Sequence, residues 1–278
     1  MQFNKDILND IAKLCNICSK TPKEIENLYN ERHLDENKNP LGLCKNVPKL
    51  HSSSNNNDCE VYTTLYDNKF VAVFPRTESG RDVLTDLNMT RLVMELDNIE
   101  ENKRPLVHWG FLRKFRTVDK KINIALKEYV DNKEIEAKDK NIIFCGHSFG
   151  GAISSLGCLE FSQKYKYSKI PIHSVTFGSS KVGNSTFAKL FNNNIKTSYR
   201  FVIDNDPVPF VLSSFKFSHV DGYVGLNIDS QSNNIGKKFL RKSRNFLKSI
   251  GLGNTYVPIN APNRNMDSYI KCLENLQL

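Results

Sequence analysis

Asn141-Ile142-Ile143-Phe144-Cys145-Gly146-His147-Ser148-Phe149-Gly150-Gly151-Ala152 is the stretch that decides how this chain folds. Its first five residues form a short apolar run without polar alternation, the pattern of a strand buried on both faces. From Phe149 to about residue 165 the sequence reads as a helix. Between the two lies G-x-S-x-G, which puts Ser148 on a sharp strand-to-helix turn. Such a turn leaves no room for side chains two residues to either side, hence Gly146 and Gly150. The helix N-terminus favours negative charge developing at the serine, and the N–H of Phe149 is placed to donate to an oxyanion. A serine nucleophile for acyl transfer is one reading; a glycine-rich turn with an incidental serine is the other.

Working outward, residues 172–177 and 198–203 read as further strands, and Glu60–Tyr66 and Lys69–Phe74 flank Asp67-Asn68 as a hairpin. Leu112, Phe115, Val118, Ile122, Leu126 and Tyr129 recur at steps of three and four, which predicts one amphipathic helix to about Asp131. The alternation of strands and helices implies an α/β fold with a mostly parallel sheet flanked by helices. Residues 37–58 are rich in Asn, Pro, Ser and Lys, and the run 52–57 reads as an exposed loop.

With 278 residues, 39% hydrophobic and 25% charged, the chain is long enough to bury a core without disulfides or metal. That composition excludes a collagen, a coiled coil and a wholly disordered chain. The expected organisation is one domain over 1–278, with an N-terminal helix and loop over 1–58 and a basic amphipathic segment over 236–251. No apolar run is long enough to span a bilayer, and the first residues lack a signal-peptide pattern, so an intracellular location is expected. The seven cysteines are an odd number and read as reduced thiols. Cys15 and Cys18 form a C-x-x-C on a helical pattern, which suits core thiols or half of a zinc site.

The chain resembles the class 3, fungal-type lipases of the α/β-hydrolase fold through four blocks in family order. The first, Val73-Phe74-Pro75-Arg76-Thr77, is similar to the block supplying an oxyanion-hole hydroxyl, although Pro75-Arg76 replaces an Arg-Gly pair. The second is Val107-His108-Trp109-Gly110-Phe111, and the third is the Ser148 turn. The fourth runs from Phe177-Gly178-Ser179-Ser180-Lys181-Val182-Gly183-Asn184 to Asn205-Asp206-Pro207-Val208-Pro209. The resemblance implies Ser148 as nucleophile, Asp206 as catalytic acid, Thr77 and the Phe149 N–H as oxyanion donors, and a lipid ester as substrate. No cofactor or metal is expected for this chemistry. Aspartates before a proline also form Asx turns, a local alternative for Asp206. Residues 79–96 correspond to the family's amphipathic lid, and here they read equally as a buried helix.

A serine hydroxyl needs a base, normally a histidine that follows the acid in the chain. The histidines are His33, His51, His108, His147, His173 and His219, and His219 alone follows Asp206. The family's catalytic histidine precedes a tyrosine that opens the last helix. In the two registers of that block, Arg264 or Met266 stands in its place before Tyr269. His219 is therefore the provisional base. The alternative is an impaired lipase-fold protein that binds lipid, membrane or a protein partner without efficient turnover.

Six of the nine excess positive charges lie in one segment: Lys237, Lys238, Arg241, Lys242, Arg244 and Lys248. Apolar residues fall between them near helical spacing. The pattern suits an anionic membrane surface, and equally a solvated surface helix. No nucleic-acid module accompanies the charge, so no nucleic-acid partner is expected.

Overall fold

Asp67 and Asn68 both have positive φ, 45° and 60°, the left-handed pair that a two-residue hairpin turn requires. The computed structural model describes residues 3–30, 47–52, 59–76, 90–203, 206, 208–210, 212, 216–226 and 265–276. The turn pairs β2 (Glu60–Tyr66) antiparallel with β3 (Lys69–Phe74), Tyr66 facing Lys69. On the outer side β1 (Lys49–Ser52) adds antiparallel to β2. It lies inside the Asn- and Ser-rich segment, in a stretch whose composition carried no strand signal. His51 fastens it, with Nε2 2.7 Å from the Thr63 hydroxyl.

A separate two-stranded sheet joins β4 (Arg91–Val93) to β5 (Leu106–His108). From β3 onward the main sheet is parallel, through β6 (Ile142–His147), β7 (Ile172–Phe177), β8 (Thr197–Ile203) and β9 (Tyr223–Leu226). Its seven strands run in the order β1-β2-β3-β6-β7-β8-β9.

Side chains alternate between two apolar layers, because neighbouring residues of a strand point to opposite faces. Phe70, Ala72, Phe74, Ile142 and Phe144 enter one layer. There they meet residues of α3 (Trp109–Arg116), α4 (Asp119–Asp131), α5 (Phe149–Lys164) and α6 (Ser185–Asn194). Val71, Val73, Ile143, Cys145, Val175, Phe177 and Phe201 enter the other. This second layer is closed by α1 (Lys5–Ile17), α2 (Pro22–Asn30) and α7 (Met266–Glu274). Burial on both faces explains why the strands lack polar alternation. Cys15 and Cys18 are buried in this second layer, and among the described residues no group of three His, Cys, Asp or Glu could hold a metal ion.

Two expectations need correction. The single helix ending near Asp131 is two helices. The Thr117 hydroxyl closes α3 by donating to the Lys114 carbonyl at 2.7 Å, and Asp119 opens α4 while pairing with Arg116 at 3.0 Å. The apolar spacing runs unbroken across this joint because both helices bury against the same layer. In the lid region, residues 79–89 lie outside the described residues, and Arg91–Val93 form a strand in place of helix. Leu92 and Val93 are exposed on it, 41% and 46%, while Met94 and Leu96 are buried.

The ring of His108 is 2% exposed and packs on Phe111 and Phe217, at 4.6 and 6.1 Å between centroids. Neither of its nitrogens has a hydrogen-bond partner among the described residues. Burial holds its pKa down at about 4, against an ordinary 6.5. The unfolded chain therefore takes a proton at this ring below about pH 6.5, and the folded chain takes one only near pH 4. Stability linked to His108 is complete above the upper limit and declines as pH falls through that window, by roughly 3 kcal/mol in all. Replacing it by Met removes this loss and two unsatisfied polar atoms. The expected result is a urea midpoint that rises for His108→Met at pH 5 by clearly more than at pH 7.5; equal shifts at both values would exclude a buried neutral imidazole.

Candidate active site

Ser148 occupies a backbone conformation that L-residues rarely adopt, with φ 57° and ψ −123°. Three features hold it there. Its N–H donates to the Phe177 carbonyl at 2.8 Å, tying the turn to the end of β7. Gly151 N–H closes the first helical turn on the Ser148 carbonyl at 3.1 Å. The flanking glycines remove obstacles: a Cβ on Gly146 would lie 2.7 Å from the Gly150 backbone. A Cβ on Gly150 would lie 2.3 Å from the carbonyl oxygens of both Phe74 and Pro75. That second contact also shows that the chain leaving β3 passes against the start of α5. Thr77, two residues further on, lies outside the described residues. Phe149 is buried as the first residue of α5, and its ring stands 5.7 Å from Phe111.

Asp206 follows β8 and is 1% exposed. The Tyr269 hydroxyl donates to its Oδ2 at 2.8 Å, and the Val208 N–H donates to Oδ1 at 3.0 Å. The second bond is an Asx-type turn, the local arrangement expected for an aspartate before proline, and it leaves Oδ2 to Tyr269. Gly178, with φ +59°, sits against the pair: a Cβ there would lie 2.2 Å from Asp206 Oδ2 and 2.7 Å from the Tyr269 hydroxyl. Ser148 and Asp206 thus both leave the carboxyl ends of their strands, with only β7 between them in the sheet. That edge is where α/β sheets of this kind place their ligands.

Tyr269 is the residue that sequence reasoning missed, using it only as a register mark. It is fully buried in α7, with its ring 5.7 Å from Phe177 and 5.9 Å from His147. Besides binding Asp206, its oxygen accepts the Ile203 N–H at 3.4 Å. Met266 begins the same helix one turn earlier, on the same buried face. Arg264 lies outside the described residues.

His173 and His219 each have another partner. His173 lies at the start of β7, with Nε2 3.0 Å from the Asn141 side-chain oxygen. The Nε2 of His219 donates to the Pro209 carbonyl at 2.7 Å. Burial, with Arg200 and Lys181 nearby, pushes its pKa down to about 3. The arrangement therefore brings Ser148, Phe149 and Asp206 to one edge of the sheet and commits a ring nitrogen of His219 to a backbone carbonyl.

The sequence profile of the family described as Lipase (class 3) matches residues 71–215, just over half of the chain. The chain belongs to the class 3 lipase family. One curated relative within reach is the secreted mono- and diacylglycerol lipase 1 of Fusarium solani, 31% identical over 107 residues. That match takes in 37% of this chain and 28% of the relative's length. Among solved structures, lipase II from Rhizopus niveus aligns over 84% of each chain with a TM-score of 0.58 and 24% identity. The triacylglyceride lipase of Rhizomucor miehei aligns over 82% of each chain with a TM-score of 0.57 and 20% identity. At these identities the likeness shows the fold, which is the α/β-hydrolase fold of the family.

The expected intracellular location does not stand, since the curated relative is by its name a secreted lipase. Among the described residues no helix is long and apolar enough to cross a membrane, which leaves the compartment unspecified.

Gly150→Ala tests the turn. The added methyl meets two backbone oxygens that cannot rotate away, so a loss of about 1–3 kcal/mol is expected in chemical denaturation. A stability within experimental error of wild type would show that the close approach of β3 to the turn is wrong.

Proposed function

We propose that the chain hydrolyses carboxylic esters of lipids, acylglycerols among them, through Ser148. The observation that carries this reading is the strained backbone at Ser148, set one strand from a buried and doubly hydrogen-bonded Asp206. Strain of this kind costs about 1–3 kcal/mol and persists where a function or the surrounding structure holds it. In the proposed reaction the Ser148 hydroxyl attacks the ester carbonyl and loses its proton. The Phe149 N–H and Thr77 stabilise the resulting oxyanion, the alcohol leaves with a proton, and water releases the acid from the acyl-enzyme. Asp206 serves as the acid of the site, and the whole chain acts as one domain.

The provisional assignment of the base to His219 is revised in this proposal. A ring that donates from Nε2 to Pro209 and resists protonation to about pH 3 is a poor acceptor for the serine proton. We assign His219 to bracing the loop that follows Asp206. Without an imidazole the site works through the oxyanion donors and substrate binding, which in serine hydrolases leave about 10³–10⁴-fold acceleration over water. No observation favours lipid binding without turnover over this reading. The basic segment 236–251 lies outside the described residues; its six cations would serve docking on an anionic lipid surface.

Hydrolysis of p-nitrophenyl butyrate and of an emulsified diacylglycerol is expected to be slow in the wild type and absent in Ser148→Ala. Met266→His places an imidazole one helical turn before Tyr269, whose hydroxyl touches Asp206. It is expected to raise kcat by about tenfold or more, since a positioned base contributes about 10²–10⁴-fold. Retained hydrolysis in Ser148→Ala overturns the reading.

A further inference from the structure

Behind the acid loop lies a cleft that the proposed hydrolysis does not use. It is lined by Lys181, Arg200, Ser218 and His219, with Ser179 and Ser180 at its wall. Arg200 comes from β8 and is 8% exposed. Its Nε donates to the Val220 carbonyl at 3.3 Å, and its guanidinium stands 5.2 Å from the centre of the Tyr223 ring. Among the described residues neither Arg200 nor Lys181 forms a salt bridge. Asp221 acts on Arg200 only at longer range, through its field.

Two cations confined together repel each other. Burial, and then the charge of Arg200, holds the pKa of Lys181 below its ordinary value, and burial does the same for Arg200. A buried guanidinium normally takes a carboxylate or phosphate partner, for which its planar set of donors is suited. The Nδ1 of His219 is a bare acceptor as long as Nε2–H is given to Pro209. The Ser218 hydroxyl completes the lining, whereas Ser179 and Ser180 already donate to backbone carbonyls. The cleft has about 10 Å³ of room, enough for one oxygen atom.

We propose that this cleft binds a small oxyanion, a carboxylate or a phosphate, one of whose oxygens sits between Arg200, Lys181 and Ser218 while His219 gains a proton at Nδ1. The anion supplies the negative charge that the two cations lack, and it makes a protonated imidazole favourable where the cations alone oppose it. The charged groups acting on His219 are Arg200 and Lys181, while Asp221 and Tyr223 act on Arg200. Because His219 also holds Pro209, three residues beyond Asp206, occupancy of the cleft bears on the loop that carries the acid.

The test is a titration of the full chain with inorganic phosphate, with acetate and with octanoate, reading the imidazole nitrogens of His219 by NMR; His219→Gln assigns the signals. Saturable shifts are expected, together with an apparent pKa for His219 that rises by about one unit or more on saturation. Lys181→Gln, at a half-buried position that need not disturb folding, is expected to weaken the affinity about tenfold. Response to phosphate alone or to carboxylates alone supports the site and names its source. Chloride acting as well as the oxyanions, unchanged affinity in Lys181→Gln, or no saturable response of His219 would each overturn the proposal. None of these readouts depends on ester hydrolysis, so the cleft and the proposed activity can fail separately.

Discussion

The strained turn at Ser148 is the constraint around which the rest is arranged. A non-glycine residue with φ near 57° and ψ near −123° is unfavourable by itself. What holds it is the sheet: the Phe177 carbonyl takes its N–H, and the carbonyls of Phe74 and Pro75 close over Gly150. Both anchors require β3, β6 and β7 to lie adjacent and parallel with their carboxyl ends level. The apolar layers on the two faces are thus more than a source of stability. They fix the register that makes the conformation of Ser148 possible.

Asp206 depends on a longer chain of contacts. Tyr269 reaches Asp206 because α7 lies on the sheet with its buried face toward Phe177 and Phe201. The helix that holds α7 in place is the first of the chain. Lys5 donates to the Glu274 carbonyl at 2.7 Å, and Asn16 donates to Asp267 at 2.9 Å. Leu8, Ile11, Leu14 and Cys15 share one apolar layer with Tyr269, Cys272 and Leu273. Opposite ends of the sequence therefore cooperate to position one carboxylate that lies between them in the chain. Loss of α1 would be felt at Asp206 through Tyr269.

Much of this was legible in the sequence, for physical reasons that differ by element. β6 and β7 were readable because burial on two faces leaves continuous apolar runs, and the hairpin because Asp67-Asn68 suits left-handed backbone, whereas the mostly unburied β9 went unread. The turn at Ser148 announced itself through glycines that no other local structure demands. The joint between α3 and α4 was hidden, since a hydroxyl bond from Thr117 ends a helix without interrupting apolar spacing. β1 was hidden for the opposite reason: an edge strand of four residues is held by its neighbour and by His51, not by its own hydrophobicity. The role of Tyr269 is a long-range contact, and nothing in the residues around it distinguishes a core tyrosine from one that binds a carboxylate.

The same contact bears on the proposed hydrolysis without an imidazole base. In a triad the acid orients an imidazole and stabilises its positive charge, and a buried carboxylate with no donor would be strongly unfavourable. Here both oxygens of Asp206 already accept hydrogen bonds, one from Tyr269 and one from the Val208 N–H. The desolvation cost of the carboxylate is offset by groups that the fold supplies whether or not an imidazole is present. Position 266, one turn before the tyrosine, is then free of any electrostatic duty, and an apolar methionine there adds to the layer beneath α7. The position of the Asp206 carboxylate is set by the scaffold, through Tyr269 and the Val208 N–H.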